Sequence, residues 1–206
     1  GSGLISLFGH ENEYDLSEGF PLLTTKKMFT KAITHELIWF IRGDTSIKYL
    51  EDNKVTIWRP DSFQHNLTGM VKEGIFPESI VKYSLDWDKA MEEYGQRIRE
   101  DSEFAEKFGD AGPIYPKQWR RWSHIDEDGK VIELDQLGDV IDNMKRKPLG
   151  KKHIVSAWNH GDVPNMSLPP CHVLYQMTSN EEGEMDMMLY QRSCDQFLGV
   201  PFNFAS

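Results

Sequence analysis

The sequence predicts an α+β fold, with a mostly antiparallel or mixed sheet covered by helices. Three observations predict it. Apolar residues recur at helical spacing in two well-separated stretches, at Ile33, Leu37 and Phe40 or Ile41 and again at Trp87, Met91, Tyr94 and Ile98. Three strand-like runs gather toward the end, at residues 153–158, 172–178 and 184–192. The last two of these are joined by the hairpin signal Asn180-Glu181-Glu182-Gly183. Helices that precede and separate hairpin-connected strands favour this arrangement over a doubly wound parallel sheet, which needs strands and helices in strict alternation. At 206 residues, and with roughly 150 residues per domain as a guide, a single domain is expected.

Taken in order, Leu4 to Phe8 reads as a short strand and Gly9-His10-Glu11-Asn12 as a turn. Phe29 to Ile41 follows as a helix stopped by Gly43, and Asp44 can cap a second short helix over residues 45–50. Residues 53–58 look extended. Residues 59–108 are rich in charge and poor in β-branched alternation, and the spacing of Trp87, Met91, Tyr94 and Ile98 makes the part after Glu78 a surface helical insertion. Asp126-Glu127-Asp128-Gly129 is a turn; Leu134, Leu137, Val140, Ile141 and Met144 then share a helical face that ends in Lys145-Arg146-Lys147, cations suited to a helix C-terminus.

The formal charge is −10, from 23 Lys plus Arg against 33 Asp plus Glu, which disfavours a broadly basic nucleic-acid binder. It leaves open an anionic small ligand held by a few local cations. No run approaches the ~18 apolar residues of a membrane span, and the start lacks a secretory pattern, so a cytoplasmic setting is expected. The two cysteines are too few for a disulfide scaffold or a cysteine-built zinc site, and the seven histidines include no His-x-x-x-His pair, so no metal is expected.

Cys171 follows Pro169-Pro170 and precedes His172 at a strand start, where a stiffened approach can aim a thiol into a cleft. A free cysteine more often packs as a small apolar residue. Arg192 and Ser193 end the next strand and offer a guanidinium and a hydroxyl that could hold an anion or favour a thiolate. Cys194 lacks such neighbours and reads as a packing residue. Glu36 sits in an otherwise apolar helix, so its carboxyl must be paired, protonated or placed in a cavity, which makes it a proton-transfer candidate; the competing reading is a helix-margin carboxylate reaching water. Residues 115–122 interleave aromatics with cations in a way that could clamp a planar anion.

Two of these motifs carry a resemblance. Pro169-Pro170-Cys171-His172, followed by Tyr190-Gln191-Arg192-Ser193-Cys194-Asp195-Gln196-Phe197-Leu198-Gly199-Val200-Pro201-Phe202-Asn203, resembles the thymidylate synthase family. His35-Glu36-Leu37-Ile38-Trp39-Phe40 with Gly43-Asp44-Thr45, Gly112-Pro113-Ile114-Tyr115 with Gln118-Trp119-Arg120, and Ile154-Val155-Ser156-Ala157-Trp158-Asn159 support it in family order. Residues from about 60 to 110 resemble the helical insertion of some bacterial members.

The resemblance implies conversion of dUMP to dTMP, with 5,10-methylenetetrahydrofolate donating the one-carbon unit and the hydride. Cys171 would add to uracil carbon 6, while Glu36 would organise water and move protons. Arg192 and Ser193 would hold the phosphate and Asn203 the uracil amide edge, with Tyr115 and Gln191 also on the substrate. Asp195 would contact the pterin ring, and Ile57, Trp58, Leu168, Gly199 and Phe202 would line its pocket. A homodimer is implied, in which cations cross to the partner's nucleotide phosphate. The family's arginine pair there is replaced by Lys151 and Lys152, which keep charge but lose the bidentate fork. Two further departures are Arg59-Pro60-Asp61, where an acidic and aromatic stretch is usual, and Pro116 in place of a glycine. Those changes leave room for a deoxyuridylate hydroxymethylase or a nucleotide-binding relative without turnover, and RNA binding would need Arg120, Arg121 and the 145–152 cations on one patch. Because the family continues beyond the position of Ser206, with sugar-binding and site-closing residues, these 206 residues alone are expected to be poorly active or inactive.

Overall fold

A computed structural model describes residues 3, 5–22, 27–197, 199 and 200. Of the strand expected at the start, residues 5–8 have no partner strand among the described residues and leave Ile5, Leu7 and Phe8 exposed, while Leu4 lies outside them. Helix α1 spans Thr30–Arg42 and buries Ala32, Ile33, Glu36, Trp39 and Phe40 on one face. Gly43 ends it in the left-handed region at φ 72°, donating to Phe40 O; a Cβ there would lie 2.8 Å from Arg120 Cβ, so the site needs glycine twice over.

Asp44 does not cap a helix directly, because its Oδ1 accepts from Ser46 N and holds a turn, and α2 begins only at Lys48, running Lys48–Asp52. Residues 53–58 are not extended. Val55 N bonds back to Leu50 O and Lys54 takes φ 61°, which folds the chain over the end of α2. Helices α3 (Arg59–Lys72), α4 (Leu85–Glu100) and α5 (Ser102–Phe108) follow. Ser84 Oγ caps α4 at Trp87 N (3.1 Å) and Asp101 Oδ1 caps α5 at Phe104 N (3.0 Å), as short polar side chains do for orphan amides.

The spacing that predicted α4 also identifies what it buries: Trp87, Tyr94 and Ile98 face Phe63 of α3 and Phe104 and Phe108 of α5. This stretch is therefore more than a surface decoration, since its aromatics belong to the same hydrophobic cluster as Leu50, Val55 and Trp58. Tyr94 is fully buried, exchanging a hydrogen bond with Ser62 Oγ (2.8 Å) and donating to Phe108 O (2.7 Å). Tyr94→Phe is expected to cost about 1–2 kcal/mol by orphaning those partners, read as a lowered urea midpoint at unchanged slope.

Helix α6 (Tyr115–Arg120) carries Pro116 in its first turn, where no amide hydrogen is required. The hairpin of β1 (Trp122–Ile125) and β2 (Val131–Leu134) turns at Asp126–Gly129, and Leu134 pairs with Trp122 in it rather than extending the next helix. Asp135 caps that helix, α7 (Gln136–Arg146). Strand β3 (His153–Ser156), β4 (His172–Ser179) and β5 (Met185–Gln191) form an antiparallel sheet with β4 in the centre. The fold among the described residues is thus α+β, with helices against one face of the larger sheet, where Val155 and Ala157 are buried; Ile154, Met185, Met187 and Tyr190 remain exposed. No helix among the described residues is long and apolar enough to cross a membrane.

Candidate active site

The β4–β5 register slips between His172 and Leu174, next to Cys171. An irregularity of this kind re-aims side chains at a strand end. The segment is pinned from both directions. Tyr115 Oη accepts from Cys171 N (2.7 Å) and His172 N (3.2 Å), while Cys171 O accepts from Arg192 N (2.9 Å). Burial pushes the Tyr115 phenol well above its ordinary value, so it stays protonated at neutral pH and keeps its own hydrogen to donate. Its ring is fixed against Phe40, Trp58, Trp119 and His172.

Cys171 opens onto a cavity of about 310 Å³. Glu36 and Phe40 of α1 form one wall, with Ile57, Trp58 and Asp61 beside them from the start of α3. Tyr115, Leu168, Cys171 and His172 form the next wall, and Gln191, Ser193, Cys194, Asp195 and Gly199 complete it. The Glu36 carboxyl is 9% exposed and accepts from Trp58 Nε1 at 2.6 Å. Burial raises its pKa to about 7, only partly offset by that hydrogen bond. A carboxyl so placed can gain or lose a proton near neutrality. Burial also raises Asp61, against the pull of Lys82.

Of the residues singled out from the sequence, Glu36, Ile57, Trp58, Tyr115, Leu168, Cys171, Gln191, Ser193, Asp195 and Gly199 meet at this cavity. Phe202 and Asn203 lie outside the described residues. Arg192 does not line the cavity: it donates from Nε to Pro170 O (2.9 Å) and from Nη2 to Pro169 O (2.8 Å), bracing the prolines before the thiol, with its guanidinium carbon 5.8 Å from the Trp158 ring centre. Lys151 and Lys152 are exposed before β3, and Lys151 borders a separate cavity of about 260 Å³ along β4 and β5. The lining among the described residues therefore includes no lysine or arginine.

Sequence reasoning gave Phe40 and His172 no site role, flagged Asp61 only as part of the Arg59-Pro60-Asp61 departure and set Cys194 aside as a packing residue, whereas the structure brings all of them to the cavity. Phe40 is one turn beyond Glu36 and Asp61 one turn beyond Trp58, so helical spacing was the available signal. The aromatic–cation clamp over 115–122 is not formed. Tyr115 and Trp119 are core residues, Arg120 pairs with Asp135 (2.8 Å) and Arg121 donates to Gly43 O (3.0 Å).

The family model for thymidylate synthase matches residues 1–206. A thymidylate synthase of Mesoplasma florum is 46% identical over 205 residues, covering 100% of this chain and 63% of that protein. One of Malacoplasma penetrans is 43% identical over 202 residues, covering 98% of this chain and 62% of its own length. The chain thus spans somewhat under two thirds of the length of these relatives. With its cysteine and buried glutamate on one cavity and a match over its whole length, this chain belongs to the thymidylate synthase family.

Proposed function

We propose that the protein carrying this chain methylates dUMP to dTMP, with 5,10-methylenetetrahydrofolate as co-substrate, and that it works as a cytoplasmic homodimer. The observation that carries this reading is the single cavity shared by the Cys171 thiol and the buried Glu36 carboxyl. A soft sulfur nucleophile suits reversible conjugate addition to an unsaturated ring, and a carboxyl that titrates near neutrality suits moving protons on that ring. Residues from about 60 to 110 are read as a helical insertion within one domain.

Cys171 sulfur forms a bond to uracil carbon 6, the ring electrons moving onto carbon 5 and its neighbouring carbonyl. Glu36, through water, exchanges protons with the ring oxygen. Once carbon 5 has exchanged its proton for a methyl group, with the folate giving up the carbon and the hydride and departing, the ring electrons return and expel the Cys171 sulfur from carbon 6, which frees the product. The folate supplies the one-carbon unit and the hydride. Ile57, Trp58, Leu168, Gly199 and Asp195, which the family resemblance assigns to the pterin, all line this cavity. Gln191 and Ser193 are assigned to the nucleotide, as are Arg192 and Asn203. Lys151 and Lys152, exposed before β3, are assigned to a partner subunit's phosphate, as the family resemblance implies.

The test is an assay of the full-length protein with dUMP and methylenetetrahydrofolate. Dihydrofolate absorbance at 340 nm rising in step with tritium release from carbon 5 is the expected result. Tritium release with tetrahydrofolate as the only folate product would replace the reading with hydroxymethylation, and no release would remove it.

A further inference from the structure

Arg59 is an improbable residue where it stands. It is the first residue of α3, where the helix dipole disfavours a cation, and its side chain is only 6% exposed. All three guanidinium nitrogens are nevertheless engaged. Nε and Nη2 donate to the two oxygens of Glu51 at 2.6 and 2.8 Å, and Nη1 meets Glu92 at 2.6 Å. Glu51, itself 1% exposed, also receives Arg99 Nη1 at 2.8 Å. The four charges cancel, and they tie the start of α3 to α2 and to two turns of α4. Gly95 completes the arrangement, because a Cβ there would fall 2.4 Å from Arg59 Nε.

The residue before Arg59 is Trp58, the donor to Glu36. The backbone around both is closed by Arg59 N to Thr56 O (3.1 Å) and Ser62 N to Trp58 O (3.0 Å), so the clamped guanidinium and the indole sit on one hydrogen-bonded turn. We propose that Arg59 is a positioning residue which, by clamping α3 to Glu51 and Glu92, holds Trp58 on the Glu36 carboxyl and couples the helical segment α3–α4 to the cavity. This rests on the proposed proton-transfer role of Glu36. Ring contacts of Trp58 with Trp39, Phe40 and Tyr115 are the competing means of holding it, and they would make Arg59 purely structural.

The test reads Glu36 directly, by carbon-13 NMR titration of carboxyl-labelled glutamate in the full-length protein without substrate; Glu36→Gln identifies the resonance. The other ionisable groups on the cavity are Asp61, Tyr115, Cys171, His172, Cys194 and Asp195, and His35 neighbours Glu36 on α1. In Arg59→Met the Glu36 midpoint is expected to fall from about 7 by at least about half a unit: water admitted by a released indole relieves the burial that is the larger cause of the raised value, and this outweighs the lost Trp58 hydrogen bond, which by itself would let the midpoint rise. Arg59→Lys, which keeps charge without the fork, should fall by less. If Arg59→Met does not fold, Gly95→Ala, which crowds the guanidinium without removing it, should move the midpoint in the same direction. A folded Arg59→Met, or in its absence a folded Gly95→Ala, with the unaltered midpoint overturns the proposal. The outcomes separate cleanly: a shifted midpoint in a protein that releases no tritium would sink the methylation reading alone, and an unshifted one in an active protein would sink the clamp alone.

Discussion

Cys171→Ala in the full-length protein is expected to release no tritium from carbon 5 of dUMP, a loss of more than ~1,000-fold, equivalent to at least about 4 kcal/mol of transition-state stabilisation. Among the described lining residues, nothing else replaces the thiol in geometry. Cys194 shares the cavity but follows β5, whereas Cys171 alone has its backbone held by Tyr115 Oη on one side and Arg192 N on the other. Folding should survive, because the side chain is only half-buried and its amide contacts are made by the backbone. A near-native thermal midpoint beside absent tritium release is therefore the signature; retained release would mean that another group is the nucleophile.

Glu36→Gln is expected to act on activity and stability in opposite directions. The amide still accepts from Trp58 but cannot exchange protons, so kcat should fall by about 10²–10⁴-fold. For stability, burial holds the folded carboxyl near pKa 7 against an ordinary 4.5. Between those values the folded state binds more protons than the unfolded one, so the native protein loses stability as pH rises through that window. Above it the full penalty applies, at most about 3 kcal/mol. Glu36→Gln should thus gain up to about 3 kcal/mol at pH 8 relative to its effect at pH 4, measured by urea unfolding at both. A gain that is the same at both pH values would show that Glu36 is not held protonated by burial.

Where one strong local pattern decides, residue order was a sufficient guide. The four-residue stripe of α4 and the Asn180–Gly183 turn between β4 and β5 lie where spacing and turn chemistry put them, because burial and chain reversal there depend on neighbours in sequence. The β1–β2 hairpin was not legible: its strands are four residues each, largely exposed and without alternation. The turn at residues 53–58 depends on Lys54 taking a positive φ, which no composition signal announces. At the cavity, Glu36 was conspicuous as a carboxyl in an apolar helix, but its partner Trp58 lies 22 residues away. Arg192 was singled out from the sequence for an anion, but its hydrogen bonds to the carbonyls of Pro170 and Pro169 were not legible there, because they follow from strand pairing 22 and 23 residues apart. Such long-range contacts are set by packing, and so is the presence of Cys194 on the lining, while the Arg59–Glu51 fork joins two helices across the turn at residues 53–58.

The central claim is that Cys171 is the nucleophile of a cavity that also holds Glu36. Incubating the full-length protein with 5-fluoro-dUMP and methylenetetrahydrofolate, then mapping the adduct by peptide mass spectrometry, tests it most directly, because two thiols line the same cavity. The account predicts one stable adduct per chain, carried by Cys171 and absent from Cys171→Ala. An adduct on Cys194, or no adduct in a protein that binds the nucleotide, would contradict it.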